Sequence, residues 1–178
     1  MPSADETQQR LRAFIRDIPD YPKPGIIFKD ITPLLAAPQA FSEAIEAMAA
    51  PFENHDITHV VAIESRGFIL GGPIAQRLNA GFVPVRKQGK LPAATLRETY
   101  ELEYGTDTLE IHADACARPA RALIVDDVLA TGGTADAARR LVESLGAEVV
   151  GFSFLMALSF LPGVRRLSGR IVATAITY

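Results

Sequence analysis

An apolar run that leads directly into two aspartates and a glycine loop constrains this chain more than any other feature. The stretch is LIVDDVLATGGT, from Leu123 to Thr134, and the residues after it, ADAARRLVESLG, carry apolar side chains at helical spacing. A strand, a loop and a helix in this order form one unit of a parallel α/β fold. Carboxylates at the end of a buried strand are costly unless they are paired. The run therefore predicts either a solvated turn or a ligand site.

Strand-like and helix-like segments alternate along most of the chain. This rhythm predicts an α/β fold with a mainly parallel, twisted sheet flanked by helices. Ligands of such sheets bind beyond the carboxyl ends of the strands, near a point where the strand order reverses. The predicted strands are 58–64, 81–87, 120–127, 147–158 and 170–178, and the predicted helices between them are 67–80 and 134–146.

The first 50 residues follow a different pattern. Apolar residues at helical spacing predict a helix that reaches Asp17. The next stretch, PDYPKPGIIFKDITP, has four prolines and favours extended chain, which we interpret as a small lobe. A further helix is expected from Phe41 to Met48.

Composition limits the function classes. The chain has 178 residues, enough for one domain with a core. Its net charge of −3 argues against general affinity for nucleic acid or an acidic membrane. The N-terminus lacks a signal-peptide pattern, the longest apolar stretch (149–161) is too short to cross a bilayer, and the lone Cys116 suits a reducing compartment. We expect a cytoplasmic protein with an idle thiol.

The loop after the aspartates has the chemistry of a phosphate cradle. Its glycines allow close backbone approach, the helix that follows offers free N–H groups, and Thr131 and Thr134 add hydroxyls. Asp126 and Asp127 accept hydrogen bonds, so a group with both a phosphate and vicinal hydroxyls, such as ribose 5-phosphate, satisfies both halves. The alternative is structural: a threonine caps the helix and the aspartates are solvated.

LIVDDVLATGGT resembles the phosphoribosyl pyrophosphate (PRPP) signature of the type I phosphoribosyltransferases. The stretches DYPKPGIIFKDITPLL, IESRGFILG, VPVRKQGKLP and YELEYGTDTLEIH follow in the order typical of the adenine phosphoribosyltransferase family. The resemblance runs from about Ile15 to Tyr178. It implies one type I phosphoribosyltransferase domain over 1–178, with a small N-terminal hood over the base (about 18–36) and a flexible lid (about 88–105).

The resemblance also implies an activity: transfer of the phosphoribosyl group from PRPP to adenine, giving AMP and pyrophosphate in purine salvage. Two alternatives remain open, a phosphoribosyltransferase for another purine and a PRPP-binding regulator without turnover. A blander alternative is a nucleotide-binding structural domain. The resemblance further implies Mg²⁺ held mainly by the substrate rather than by a protein metal site, and a homodimer. The apolar residues around Phe68, Ile69 and Leu70 fit either the dimer interface or the core.

The roles that the resemblance implies fall into five groups. Ala130, Thr131, Gly132, Gly133 and Thr134 bind the 5′-phosphate; Asp126 and Asp127 bind ribose; Ser65, Arg66, Arg86, Lys87, Lys90 and Tyr104 bind pyrophosphate; Ile27, Phe28, Arg66 and Leu158 contact adenine; and Glu103 is the catalytic acid/base near the purine.

Each group has a structural alternative in the sequence. Arg66 can pair with Glu64 on the surface, the cations of RKQGKLP can form a solvated face, Phe28 can be core, and ELEY can be an ordinary surface strand.

Four residues depart from the pattern expected for the family. They are Lys29 in place of Arg, Ala62 and Ala93 in place of Gly, and Ala157 in place of an acid.

Overall fold

The structure is a computed structural model that describes residues 3–101, 105–116 and 118–178. Its strands are β1 (Arg16–Pro19), β2 (Ile27–Asp30), β3 (His59–Ile63), β4 (Gly81–Lys87), β5 (Thr95–Glu101), β6 (Thr106–His112), β7 (Arg121–Leu129), β8 (Glu148–Ala157) and β9 (Ile171–Thr177). Its helices are α1 (Ala4–Arg12), α2 (Thr32–Ala36), α3 (Pro38–Ala49), α4 (Arg66–Arg77), α5 (Gly133–Ser144) and α6 (Gly163–Arg166), with a 3₁₀ turn at Ala50–Phe52.

The main sheet has seven strands in the order β5-β6-β4-β3-β7-β8-β9. The pairs β3–β4, β3–β7, β7–β8 and β8–β9 are parallel, which confirms the predicted mainly parallel sheet. The chain runs from β3 to β4 on one side, and from β7 to β8 and β9 on the other. The order therefore reverses between β3 and β7, and a crevice opens at the carboxyl ends of these two strands.

Helices cover both faces of the sheet. Buried side chains of α1, α3 and α4 form one core with one face, and buried side chains of α5 and the hairpin form a second core with the other. Helix α4 lies so close to β3 that a Cβ on Gly71 would be 2.6 Å from the Cβ of Ala62. Ala62, one of the four departures, therefore has its methyl group packed against a glycine of the facing helix.

The N-terminal region differs from the sequence prediction. The first helix ends at Arg12 instead of Asp17, and residues Arg16–Pro19 form a strand that pairs antiparallel with Ile27–Asp30. The apolar residues that predicted a single helix thus come from α1, β1 and the short link between them, and their spacing along the chain happens to match a helix. The two-stranded ribbon coincides with part of the predicted hood segment.

The segment between β4 and β7 contains two strands that the sequence analysis did not identify. Strands β5 and β6 form an antiparallel hairpin, and β6 pairs with β4 at Arg86–Glu110 and Lys87–Leu109. Seven residues of the segment predicted as a lid (88–105), Thr95–Glu101, thus belong to the edge of the main sheet. In the described part of the chain, none of the helices combines the length and apolar character needed to cross a membrane.

Candidate active site

A cavity of about 490 Å³ lies at the carboxyl ends of β3 and β7. Its wall combines the two loops that follow these strands with residues of the hairpin. The wall is formed by residues 63–66, 126–135, Lys87, Tyr100, Asp107 and Phe154. The structure therefore brings the ESRG stretch and the LIVDDVLATGGT stretch together around one space.

The loop 130–134 forms the floor of this cavity and opens helix α5. Gly132 is the N-cap residue, has a φ of +79° and makes no side-chain capping bond, so neither threonine caps the helix as the structural alternative required. A Cβ on Gly132 would lie 3.1 Å from the Gly163 carbonyl oxygen, because α6 packs under the loop. The Gly163 N–H also donates to the Ala130 carbonyl at 3.0 Å. The first turn of α5 thus presents its N–H groups to the cavity on a braced backbone.

The two aspartates are not a solvated strand end. Asp127 is 5% exposed, and Asp126 is half-buried with its carboxyl group enclosed by protein. Burial and the neighbouring Asp127 carboxylate raise the pKa of Asp126 well above its ordinary value. Asp126 Oδ1 accepts the Asp127 N–H at 2.9 Å. The pair is a concentrated acceptor site at the end of β7.

Arg66 joins the two loops. Its Nε lies 2.6 Å from Asp127 Oδ2, and its guanidinium carbon lies 5.2 Å from the centre of the Phe28 ring. The alternative of a surface pair with Glu64 is therefore wrong. Arg66 thus extends from Asp127 toward the two-stranded ribbon β1–β2, called the hood ribbon below, beside which adenine is expected from the sequence.

The ESRG loop is packed tightly against the end of β7. The Glu64–Ser65 peptide bond is cis, and Ser65 is the N-cap residue of α4. A Cβ on Gly67 would lie 3.0 Å from the Val125 carbonyl oxygen and 3.1 Å from Asp126 Oδ1. Glycine at this position allows the second helix N-terminus to approach the aspartates.

The cations of RKQGKLP carry ion pairs at the rim of the cavity. Glu64, whose side chain is 5% exposed, lies 3.0 Å from Arg86 Nε and 2.6 Å from Lys90 Nζ. Lys87 Nζ lies 3.1 Å from Asp107 Oδ2, and this hydrogen bond raises the pKa of Lys87. Of these three cations Lys87 lines the cavity, whereas Arg86 and Lys90 lie beside its wall, where they pair with the wall residue Glu64.

The hairpin supplies a wall that the sequence analysis missed. Tyr100 is 6% exposed, lines the cavity, and lies within hydrogen-bonding reach of Thr134. Burial raises the pKa of the Tyr100 hydroxyl. Arg140 on α5 pairs with Glu98 on β5 at 2.5 Å. These contacts tie the hairpin to the first turns of α5.

The predicted adenine contacts lie to one side of this cavity. Among the described residues, Ile27, Phe28 and Leu158 are not part of its wall. Ile27 is 58% exposed, and Phe28 packs edge-on against Tyr21 at 5.3 Å. The Leu158 N–H donates to the Leu129 carbonyl at 3.0 Å, next to the loop 130–134. Within the described ranges, Arg66 is the predicted adenine contact that also lines the cavity.

The predicted catalytic acid/base, one predicted pyrophosphate contact and the expected lack of a protein metal site concern other parts of the chain. Glu103 and Tyr104 fall outside the described residues. In residues 3–101, 105–116 and 118–178, His, Cys, Asp and Glu form no group of three or more that could hold a metal.

Cys116 is buried, and burial raises its pKa, which agrees with an idle thiol. Leu70, which by sequence fits either the dimer interface or the core, is fully buried in the core and offers no free surface, whereas Ile69 is 45% exposed.

Sequence and structure comparisons agree with one another. The family model of the phosphoribosyl transferase domain matches residues 30–167. An adenine phosphoribosyltransferase of Myxococcus xanthus is 58% identical over 168 residues, covering 94% of this chain and 91% of that protein. The crystal structure of adenine phosphoribosyltransferase from Rhodothermus marinus superimposes with a TM-score of 0.93 at 55% identity, covering 98% and 99% of the two chains.

A third match comes with bound molecules. Adenine phosphoribosyltransferase from Saccharomyces cerevisiae, crystallised with an imino-altritol bisphosphate and adenine, gives a TM-score of 0.90 at 40% identity. The alignment covers 96% of this chain and 99% of the yeast chain.

Proposed function

The chain belongs to the adenine phosphoribosyltransferases, within the phosphoribosyl transferase family, and we propose how its own residues divide the work of the reaction. The enzyme transfers the phosphoribosyl group of PRPP to adenine and releases pyrophosphate, a pentosyl transfer of purine salvage. The single observation that carries the assignment of the site is the juxtaposition of an uncapped helix N-terminus with two enclosed aspartates at the strand-order reversal.

The sugar end of PRPP fits the floor of the cavity. The N–H groups at the start of α5 and the hydroxyls of Thr131 and Thr134 bind the 5′-phosphate. Asp126 and Asp127 accept hydrogen bonds from the ribose 2′- and 3′-hydroxyls. Their negative charge also stabilises the positive charge that develops on the ribosyl carbon as the bond to pyrophosphate breaks.

The departing pyrophosphate fits the opposite rim. The loop at Ser65 and Arg66 opens α4, and Arg86, Lys87 and Lys90 lie beside it. Cations and helix N–H groups stabilise the charge of the leaving anion as it forms. Tyr104 contributes a further contact in this proposal.

The base binds against the hood ribbon, and residues 18–36 cover the base. Phe28 stacks on the purine, Ile27 and Leu158 flank it, and Arg66 lies between the ring of Phe28 and Asp127. Glu103 transfers a proton at the imidazole ring of the purine. The loop that begins at residue 88 and runs into the hairpin closes over the substrates and excludes water from the reactive sugar cation.

The site suits Mg²⁺ held mainly by substrate. Two carboxylates, Asp126 and Asp127, face the cavity, and Mg²⁺ commonly binds through one or two carboxylates together with phosphate oxygens and water. We propose that pyrophosphate, ribose hydroxyls and water would hold most of the ion when PRPP is bound, and that Asp126 and Asp127 would contact it through water. The ion supplies charge neutralisation to the pyrophosphate group.

A homodimer is part of the proposal. The exposed side chains of Ile69 (45%) and Phe82 (42%) flank Phe68, whose ring lies 5.8 Å from that of Phe82. The guanidinium carbon of Arg86 lies 5.8 Å from the centre of the Phe68 ring, so this apolar face adjoins the proposed pyrophosphate rim. Analytical ultracentrifugation of the chain tests the dimer. A cytoplasmic location remains a prediction from composition.

The function is tested by one assay on the purified chain. PRPP and Mg²⁺ are supplied with adenine, hypoxanthine, guanine or xanthine in parallel, and nucleotide and pyrophosphate are quantified. AMP formation from adenine alone is expected. Turnover of a 6-oxopurine supports the alternative purine, and PRPP binding without any turnover supports a regulator.

A further inference from the structure

Glu64 is a buried carboxylate that the roles above leave without a task. It directly follows β3, lines the cavity, and exposes 5% of its side chain. Nothing in the transfer reaction requires an acid at this rim, because the group that binds there is itself a polyanion. A buried charge so close to an anion site therefore calls for an explanation.

The carboxylate of Glu64 holds two cations at once. Lys90 Nζ donates to Oε1 at 2.6 Å, Arg86 Nε donates to Oε2 at 3.0 Å, and the Lys87 N–H donates to the same carboxylate. Burial alone raises the pKa of Glu64, but the hydrogen bonds from Lys90, Lys87 and Arg86 outweigh it and lower the pKa. Glu64 is therefore ionised at neutral pH and neutralises part of the charge of both side chains.

The same pattern extends around the rim. Within the described ranges, Arg66 and Lys87 in the cavity wall pair with Asp127 and Asp107, and Arg86 and Lys90 beside the wall pair with its residue Glu64. Pyrophosphate must draw these cations away from carboxylates that already satisfy them. Glu64 is the acid that holds two of the four, and it is also the most enclosed member of the pairs outside the ribose aspartates.

We propose that Glu64 is an internal counter-anion of the pyrophosphate site. Its carboxylate holds Arg86 and Lys90 when no pyrophosphate is bound and competes with pyrophosphate for the same two side chains. It thereby weakens the binding of the product and promotes its release. This inference rests on the proposed function of the site.

Competition and a purely supporting role predict opposite changes in pyrophosphate affinity when the charge of Glu64 is removed. If Glu64 merely positions the two cations, loss of its charge disorders them and weakens pyrophosphate binding. If it competes with the product, loss of its charge frees two cations and removes a like charge near the bound anion, so binding tightens. A gain of affinity on removal of a buried group is thus the diagnostic result.

The test is isothermal titration of the whole chain with pyrophosphate in the presence of Mg²⁺. Glu64→Gln keeps the size of the side chain and removes its charge, and the Kd for pyrophosphate is expected to fall about ten-fold. Inhibition of AMP synthesis by pyrophosphate should strengthen by the same factor. The gain should shrink at high salt, because screening weakens both the competition and the attraction. The Kd for AMP, which lacks the pyrophosphate group, should stay within about two-fold.

Two further variants complete the design. The control is Glu148→Gln, which removes the same charge far from the cavity. Glu148 pairs with Arg121, the first residue of β7, at 2.6 Å. The Kd of this variant for pyrophosphate should equal that of the wild type. Glu64→Asp keeps the charge but is too short to hold both cations, so its affinity should lie between those of the wild type and Glu64→Gln. It replaces Glu64→Gln if thermal unfolding shows that the latter does not fold.

Unchanged or weaker pyrophosphate binding in Glu64→Gln, or in Glu64→Asp where that variant replaces it, overturns the inference while leaving the proposed function intact. A wild-type chain that neither binds pyrophosphate nor makes AMP overturns the proposed function instead.

Discussion

Arg66 and Asp127 come from different segments of the chain, yet Arg66 Nε lies 2.6 Å from Asp127 Oδ2. The pair links the loop after β3 to the end of β7 at the place where the strand order reverses. It connects the aspartates proposed to bind ribose with the loop proposed to bind pyrophosphate, and through the contact of Arg66 with Phe28 it also reaches the hood ribbon. In the proposed binding mode, the ribose, the pyrophosphate and the adenine therefore all lie next to the Arg66–Asp127 ion pair.

Asp127→Asn should raise the KM for PRPP by at least about ten-fold, because hydrogen bonds to a charged group contribute about 1.5–3 kcal/mol. The KM for adenine should change much less, since in the proposed binding mode Asp127 contacts the sugar and not the base. Steady-state kinetics with each substrate varied in turn measures the difference. Asp114→Asn, on the exposed turn after β6, is the matched control and should behave as wild type. An equal rise in both KM values would remove Asp127 from the ribose site.

Asp126 should give the free chain a distinctive pH dependence of stability. Its pKa in the folded protein is raised above the ordinary value of 3.8 by burial and by the adjacent Asp127. A raised pKa stabilises the fold fully below that ordinary value, and this stabilisation is lost as pH rises through the folded-state pKa. The contribution of Asp126 to the free energy of unfolding should thus fall with rising pH, so the wild type should lose stability relative to Asp126→Asn as the pH rises.

Urea unfolding at a series of pH values, without ligand, measures this difference. Parallel curves for the wild type and Asp126→Asn would show that Asp126 does not titrate with a raised pKa. Saturating AMP should reduce the difference between the two curves, because ribose hydroxyls donate to the ionised form of Asp126.

Gly132→Ala tests the shape of the phosphate loop. Its φ of +79° opposes a side chain, and so does the Gly163 carbonyl oxygen, 3.1 Å from the position that the new methyl group would take. We expect a loss of about 1–2 kcal/mol in the free energy of unfolding and weaker binding of AMP. Gly72→Ala is the control, because a Cβ there meets nothing within 4 Å and the residue lies inside α4. That change should stabilise the chain by about 0.5–1 kcal/mol.

Glu103→Gln should leave PRPP binding intact and lower turnover. The change removes a proton acceptor but keeps the size of the side chain, so only the step that moves a proton at the purine should slow, by about 10²–10⁴-fold for a general acid/base. Calorimetric binding of PRPP and kcat across a pH series separate the two effects. Wild-type turnover at every pH would assign the acid/base role to another group.

The parts of the fold that sequence predicts well are those where burial and period coincide. Strand β7 is almost continuously buried and helix α5 has one apolar face, so both were identified and their junction located the site. In strand β5 only Tyr100 is buried, so its sequence lacks the alternation of apolar and polar residues that predicts a strand. The hairpin, and with it the wall formed by Tyr100 and Asp107, therefore became visible only in three dimensions.

The pairing of charges was equally hidden. Glu64 is close to Arg66 in sequence but pairs with Arg86 and Lys90, because β3 and β4 are parallel neighbours whose ends meet. Sequence proximity left a Glu64–Arg66 pair open as an alternative, whereas in the structure Arg66 pairs with Asp127. Motifs thus indicated which residues form the site, and strand order decided which of them touch.

A crystal structure of the chain with AMP tests the central claim most directly. The account predicts the phosphate on the N–H groups of residues 131–134, the ribose hydroxyls on Asp126 and Asp127, and the base beside Phe28. A nucleotide bound elsewhere, with the loop at the start of α5 free of phosphate, would contradict it.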